Sequence, residues 1–189
     1  MNPPTAAITR FWSLAAPLYD QHCLQRWVYR PAQDEVLAQL RRYGSRQIAD
    51  IACGTGILTN RIQRELLPDE VYGVDMADGM LAQARKRSDR VRWMSAPAEK
   101  LPFADGFLDA VVTTSAFHFF DQPAALREFH RVLRPGAVVV ATTISPSARA
   151  VRALFTDAGF TVADQHPVRR PFWTPVSDVI TVGVKPPQP

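Results

Sequence analysis

The residues best suited to do chemistry fall in one short run, Asp50-Ile51-Ala52-Cys53-Gly54-Thr55-Gly56. The run follows an apolar strand candidate and opens a helix candidate at Ile57. Gly54 and Gly56 therefore let a ligand approach the backbone closely, while the free amides of the helix start present hydrogen-bond donors. A second apolar run, Val71-Tyr72-Gly73-Val74, ends in Asp75, about 20 residues beyond the turn, a spacing at which a carboxylate accepts from both hydroxyls of a ribose. Asp is also a favoured N-cap, and Asp75 stands just before a helix candidate that begins near Met76; the two roles are compatible. Together the turn and the acid imply an adenosine-containing cofactor. Thr59 sits where a dinucleotide fingerprint places a third Gly or Ala, and no Gly-Lys-Ser/Thr occurs, which disfavours NAD, FAD and a phosphate-cradling loop.

Four histidines are present. His118, within Ser115-Ala116-Phe117-His118-Phe119-Phe120 after the fourth strand candidate, is best placed to take a proton from an acceptor; the competing reading is a structural imidazole at a pocket mouth. His22 is a weaker candidate, and His130 and His166 read as surface or packing residues. Cys23 and Cys53 form neither a CxxC pair nor a Cys/His cluster with ligand spacing, so neither a metal site nor a disulfide framework is expected.

The elements that must position these groups alternate in type. Strand candidates run over Gln47–Ala52, Glu70–Val74, Arg90–Met94, Phe107–Thr113, Ala137–Ile144, Thr161–His166 and Val179–Val184. Helix candidates lie at Gln33–Tyr43, Ile57–Leu67, Ala77–Arg87, Pro123–Leu133 and Ser147–Ala158, with Gly44 as a stop for the first. Such alternation predicts right-handed crossovers and an α/β, doubly wound, mostly parallel sheet with helices on both faces. The last two strands are joined by Pro167 to Asp178, which has no helical pattern, so they are expected to pair antiparallel.

At 189 residues and 47% hydrophobic, the chain is sized for one domain with a substantial core. We expect a single domain over 1–189, made of a helical and aromatic leader (1–44) over the site and a core over 45–185. The net charge of +4 is a mild excess without a basic tail, so a nucleic-acid partner is not expected. Arg85-Lys86-Arg87 reads as a solvated helix end. No apolar run reaches the length of a membrane span and the start lacks a signal pattern, which predicts a cytoplasmic protein. The proline-rich ends, Met1 to Thr5 and Lys185 to Pro189, are expected to fray.

Five of these segments, in order, resemble the motifs of the ubiquinone/menaquinone-type class I S-adenosylmethionine-dependent methyltransferases: Asp50 to Gly56, Gly73-Val74-Asp75, Ala98-Glu99-Lys100-Leu101-Pro102-Phe103, Phe107 to Val111, and Arg131-Val132-Leu133-Arg134-Pro135-Gly136. The resemblance spans roughly Ile48 to Thr143. It implies a Rossmann-like, seven-stranded sheet with an antiparallel last strand, S-adenosylmethionine as cofactor, and methyl transfer to a small, partly apolar acceptor. It further implies that Asp50 reaches the methionine ammonium, Ala52 contributes a carbonyl, and Gly54, Thr55 and Gly56 complete the turn. Asp75 would grip the ribose, Met76 and Met80 would face the adenine, Ala98 with Glu99 would border its edge, and Ser115 would line the methionine end.

This chain departs from the family pattern at three places. Pro97 stands where an Asp often accepts from the adenine amine, Ala52 where Gly is frequent, and the span between the fifth and sixth strands is short. The leader holds Phe11, Trp12, Tyr19, Trp27 and Tyr29, and Tyr19-Asp20 resembles a pair that lies over the cofactor in the family; packing of these aromatics on the sheet is the alternative. Phe117, Phe119 and Phe120 are candidate acceptor walls or core residues. The rival to an enzyme is a non-catalytic binding module on the same fold. A nicotinamide oxidoreductase is disfavoured by Thr59 and by the lack of a Tyr-x-x-x-Lys pair.

Overall fold

The computed structural model describes residues 29–145, 147–170 and 178–187. Among them, seven strands form one sheet: β1 (Gln47–Ile51), β2 (Glu70–Asp75), β3 (Arg92–Ser95), β4 (Leu108–Thr114), β5 (Leu133–Ile144), β6 (Thr161–Pro167) and β7 (Asp178–Val184). Their spatial order is β3-β2-β1-β4-β5-β7-β6. The first five pair parallel, whereas β7 lies antiparallel between β5 and β6. Every described position in the predicted pattern of alternating strands and helices is thus occupied by the expected type of element.

Among the described residues, five α-helices cover the sheet: α1 (Arg30–Tyr43), α2 (Ile57–Leu66), α3 (Asp78–Ala84), α4 (Gln122–Val132) and α5 (Ala148–Asp157). The two-residue period of β5 divides its side chains between two cores. Val138 and Val140 join Val36, Leu37 and Leu40 of α1 and Leu58 and Ile62 of α2. Val139 and Ala141 join Leu126 and Phe129 of α4 and Val151 and Phe155 of α5 on the other face. Parallel strands buried on both faces read as near-continuous apolar runs, as Ala137 to Ala141 does.

Element ends differ from expectation where side chains intervene. The fourth predicted helix reaches only Val132, because Leu133 is extended and pairs with Leu108, so β5 begins four residues earlier than its apolar run suggested. Pro135 could not have continued a helix there. Helix α3 stops at Ala84 rather than Arg87, and Arg87 turns back so that its Nε donates to the Thr55 carbonyl at 2.7 Å; this arginine is a tie to the glycine turn, not a solvated helix end. Strand β3 starts at Arg92 because Arg90 is held in a turn, its amide donating to Ser88 Oγ. Lys185 is pinned rather than frayed: its amide donates to Ala137, and its ammonium donates to the carbonyls of His130 and Leu133, each at 2.8 Å.

Phe155 is fully buried, with Phe117 and Phe160 rings at 5.9 and 6.0 Å, and it fills space over Gly183 of β7. Phe155→Ala is expected to cost about 3–5 kcal/mol, read from urea denaturation.

Candidate functional site

Parallel strands deliver their carboxyl ends to one edge of the sheet, and the chemical residues gather there. The chain leaves β1 through Ala52, whose φ of +56° is a left-handed conformation that a β-carbon strains. This explains why Gly is common at that position in the resembling family. The Cys53 amide continues the ladder to the Val74 carbonyl at 3.1 Å, and Gly56, with φ +76°, opens α2. Gly56 has a further reason to lack a side chain. A β-carbon there, or on Gly73 of β2, would run into the Trp93 ring of β3. The indole Nε1 is held by the Ser88 carbonyl at 3.0 Å, so Trp93 is a fixed plate beneath the turn. Gly56 is therefore set by protein packing as much as by ligand approach.

Two carboxylates face this turn. Asp50 is buried; its Oδ2 accepts from Thr59 Oγ1 at 2.6 Å, and its Oδ1 has no partner among the described residues. Thr59, read from sequence only as a departure from the dinucleotide pattern, is thus the residue that orients Asp50. Burial pushes the Asp50 carboxyl up to about 7, with repulsion from Asp75 adding to the effect and the Thr59 hydrogen bond opposing it. Asp75 accepts from the Gly54 amide through Oδ2 and the Ala77 amide through Oδ1, both at 2.8 Å. It ties the turn to the loop ahead of α3; the helix begins at Asp78 with Ala77 as its N-cap and without a side-chain cap, so the capping expected of Asp75 is replaced by a local turn to Ala77. Burial raises its pKa against these backbone hydrogen bonds. Neither acid has a cationic partner among the described residues. Burial also raises the Cys53 thiol well above its ordinary range, aided by both carboxylates, which keeps it neutral and unsuited to attack.

The other predicted residues sort clearly. Met76 is half-buried beside Asp75, and Met80 is buried in α3. Ala98 is buried beyond β3, while Glu99 accepts from the Asp121 amide at 3.0 Å and ties that loop to the start of α4. Ser115 leaves β4 with φ +52°, its amide bonded to Thr142. His118 sits in the short 3-10 turn Phe117–Phe119, with its Nδ1 buried and unpartnered among the described residues. Burial lowers its pKa, and the charge of Asp178 acts against that. Phe117 is a core residue, not an acceptor wall, because it is fully buried against Phe155 and Phe120. Phe120 also packs on the core, whereas Phe119 is 45% exposed and Ile144 is 51% exposed at the same edge. Tyr19 and the other leader aromatics before Tyr29, with His22 and Cys23, lie outside the described residues. His130 packs edge-on to Phe160, and His166 pairs with Asp164 and Glu35, as a packing and a surface residue.

Sequence reasoning missed Arg170 and Asp178. They form a buried ion pair at 2.8 Å, 3% and 0% exposed, and Asp178 also accepts from Ser115 Oγ at 3.3 Å. Both flank a stretch without periodicity, so only the polar interruption before the apolar run Val179–Val182 marked the position.

Comparison with known proteins is decisive at this point: residues 49–141, which carry the turn, both acids and Ser115, match the methyltransferase domain family. Those residues carry a methyltransferase domain. The chain is 31% identical over 186 residues to a malonyl-[acyl-carrier protein] O-methyltransferase of Halorhodospira halophila, covering 89% of this chain and 62% of the relative. It is 40% identical over 106 residues to a demethylmenaquinone methyltransferase of Thermus thermophilus, covering 53% of this chain and 48% of that protein. The chain thus spans about half to three-fifths of the length of these curated relatives. The magnesium protoporphyrin IX methyltransferase of Synechocystis, solved with bound S-adenosylmethionine, shares the fold at a TM-score of 0.78 and 15% identity, with 98% of each chain covered.

The methyltransferase domain fits the cofactor of its family on its own geometry. The Asp50 oxygen left unpartnered among the described residues, and two mutually repelling carboxylates with no cationic partner among those residues, are what an ammonium-bearing adenosyl ligand would relieve.

Two outcomes are expected. The Asp50 carboxyl is easier to protonate folded than unfolded, so its contribution to stability is full at low pH and is lost as pH rises through the acid range to about 7. Asp50→Asn should therefore raise the unliganded melting temperature most at pH 8, by progressively less as pH falls, and hardly at all near pH 4, by scanning fluorimetry. Gly73→Ala should cost about 1–3 kcal/mol in chemical denaturation through its clash with Trp93.

Proposed function

We propose that the chain is an active methyltransferase that binds S-adenosylmethionine at the carboxyl edge of β1 and β2 and methylates a small organic acceptor beside β4. The observation that carries this reading is the pair of acids at the ends of those neighbouring strands, Asp50 with a buried free oxygen and Asp75 with lone pairs left beyond its two amide contacts. In this reading Asp50 holds the ammonium, directly or through water, and the amides and carbonyls of Ala52 to Gly56 border the methionine moiety. Asp75 accepts from the ribose, Met76 and Met80 flank the adenine, Ala98 and Glu99 border its rim, and Ser115 closes the far side. Tyr19 and the leader would cover the cofactor.

The cofactor supplies an electrophilic methyl group on a sulfonium, and methyl transfer is an in-line displacement, so the protein's task is alignment and exclusion of water. His118, kept neutral by burial, is suited to accept a proton from an acceptor hydroxyl, enol or amine. The curated relatives act, by their names, on a carrier-bound malonyl group and a demethylated menaquinone. Exposed Phe119 and Ile144 at the β4–β5 edge favour an acceptor with an apolar part.

Thermal-shift titration should show saturable stabilisation by S-adenosylmethionine and S-adenosylhomocysteine and none by NADH. Asp75→Ala should weaken the adenosyl response at least about tenfold, since hydrogen bonds to a charged group are each worth about 1.5–3 kcal/mol. Stabilisation by NADH alone would overturn the reading. Affinity for S-adenosylmethionine should rise with pH through about 7 as Asp50 ionises, and Asp50→Asn should flatten that profile. For an acceptor that must lose a proton, His118→Ala should lower turnover about 100-fold or more.

A further inference from the structure

Thr59 is the third residue of α2, in a first turn whose backbone amides have no partners within the helix. A helix start is ordinarily closed by the side chain of its N-cap, but here that residue is Gly56, and Trp93 fills the space a side chain would need. Asp50 reaches across from β1 instead. Its Oδ2 accepts from Thr59 Oγ1 at 2.6 Å, and the Thr59 backbone adds a second hydrogen bond to the same carboxyl. Strand pairing sets Gly73 of β2 and Val112 of β4 on either side of Asp50, and neither has a side chain that can donate. Among the described residues Thr59 is therefore what fixes the carboxyl: one oxygen is committed to the helix, and Oδ1 is left buried without a partner.

A buried carboxylate oxygen penalises a ligand that covers it without donating to it and favours one that brings a cation. That discrimination lasts only while the carboxyl keeps its charge and its orientation. Burial works against the charge, as does Asp75 of β2, and the Thr59 hydroxyl works for it; the Cys53 thiol of the turn is kept neutral.

We propose that Thr59 is a specificity-determining positioning residue: by tying Asp50 Oδ2 to the start of α2, it turns Oδ1 toward the ligand and so restricts the site to adenosyl compounds that carry an amino group. The inference rests on the S-adenosylmethionine reading above. Without the hydroxyl, Asp50 is free to rotate or to take up a proton, and the protonated acid neither attracts an ammonium nor excludes an uncharged chain in its place.

The test is calorimetric titration of the full chain at pH 8 with S-adenosylhomocysteine and with its desamino analogue, in which hydrogen replaces the amino group. The wild-type chain should prefer the amine by about tenfold or more, as a hydrogen bond to a charged group provides. Thr59→Val should lose about tenfold in affinity for S-adenosylhomocysteine and change by less than about threefold for the analogue, so that the preference collapses. Thr59→Ser, which keeps the hydroxyl, should restore it. A folded Thr59→Val chain that retains the preference overturns the proposal, and so does an equal loss of both ligands, which would mark damage to the turn, or a Thr59→Ser chain that behaves as Thr59→Val does. If Thr59→Val does not fold, Thr59→Ala, which removes the hydroxyl without setting a methyl against the carboxyl, carries the same comparison. A wild-type chain that binds both compounds equally well overturns the selectivity alone, whereas one that binds neither overturns the underlying cofactor reading.

Discussion

Parallel pairing is the constraint from which the site follows. Strands β2, β1, β4 and β5 run the same way, so each must release the chain at the same edge and return it through a helix on one face. Residues distant in sequence, such as Asp50, Asp75 and Ser115, arrive side by side without any direct attraction between them. The cost appears at the exits. Ala52 and Ser115 both leave their strands in left-handed backbone conformations, and each is braced by a hydrogen bond from its own or the next residue to a neighbouring strand.

Electrostatics then divides the edge into two halves. At β1 and β2, the acids have no cationic partner among the described residues, and burial raises both toward neutrality. At β4 and β7 the opposite arrangement holds: the buried Asp178 carboxylate is paired with the Arg170 guanidinium and accepts from Ser115. The first half is poised to gain a positive ligand. The second already contains its counter-charge.

Much of this was legible in the chain. The glycine turn and the strand-ending Asp75 each carry a local signature, because backbone conformation and strand exit are set by nearest neighbours. The alternation of strands and helices gave the sheet and its antiparallel end for the same reason. What escaped notice depends on contacts between distant segments. Thr59 looked like a missing glycine until Asp50 appeared beside it, and Arg87 like a solvated charge until it met Thr55. Arg170 and Asp178 are ordinary polar residues in an aperiodic connection, and only β6 and β7 pairing reveals that they meet. Phe117 could not be told from Phe119 by composition; two residues of 3-10 helix, two-thirds of a turn, send one into the core and the other outward.

The indole beneath the glycine turn has a consequence for how such a chain can drift. Gly56, Gly73 and Trp93 occupy one shared volume, so their identities are not independent. A lineage that enlarges either glycine must first shrink position 93, and the reverse order passes through an overpacked intermediate. The route of substitution around the turn is therefore ordered, and history as well as chemistry decides which residues can be found together there.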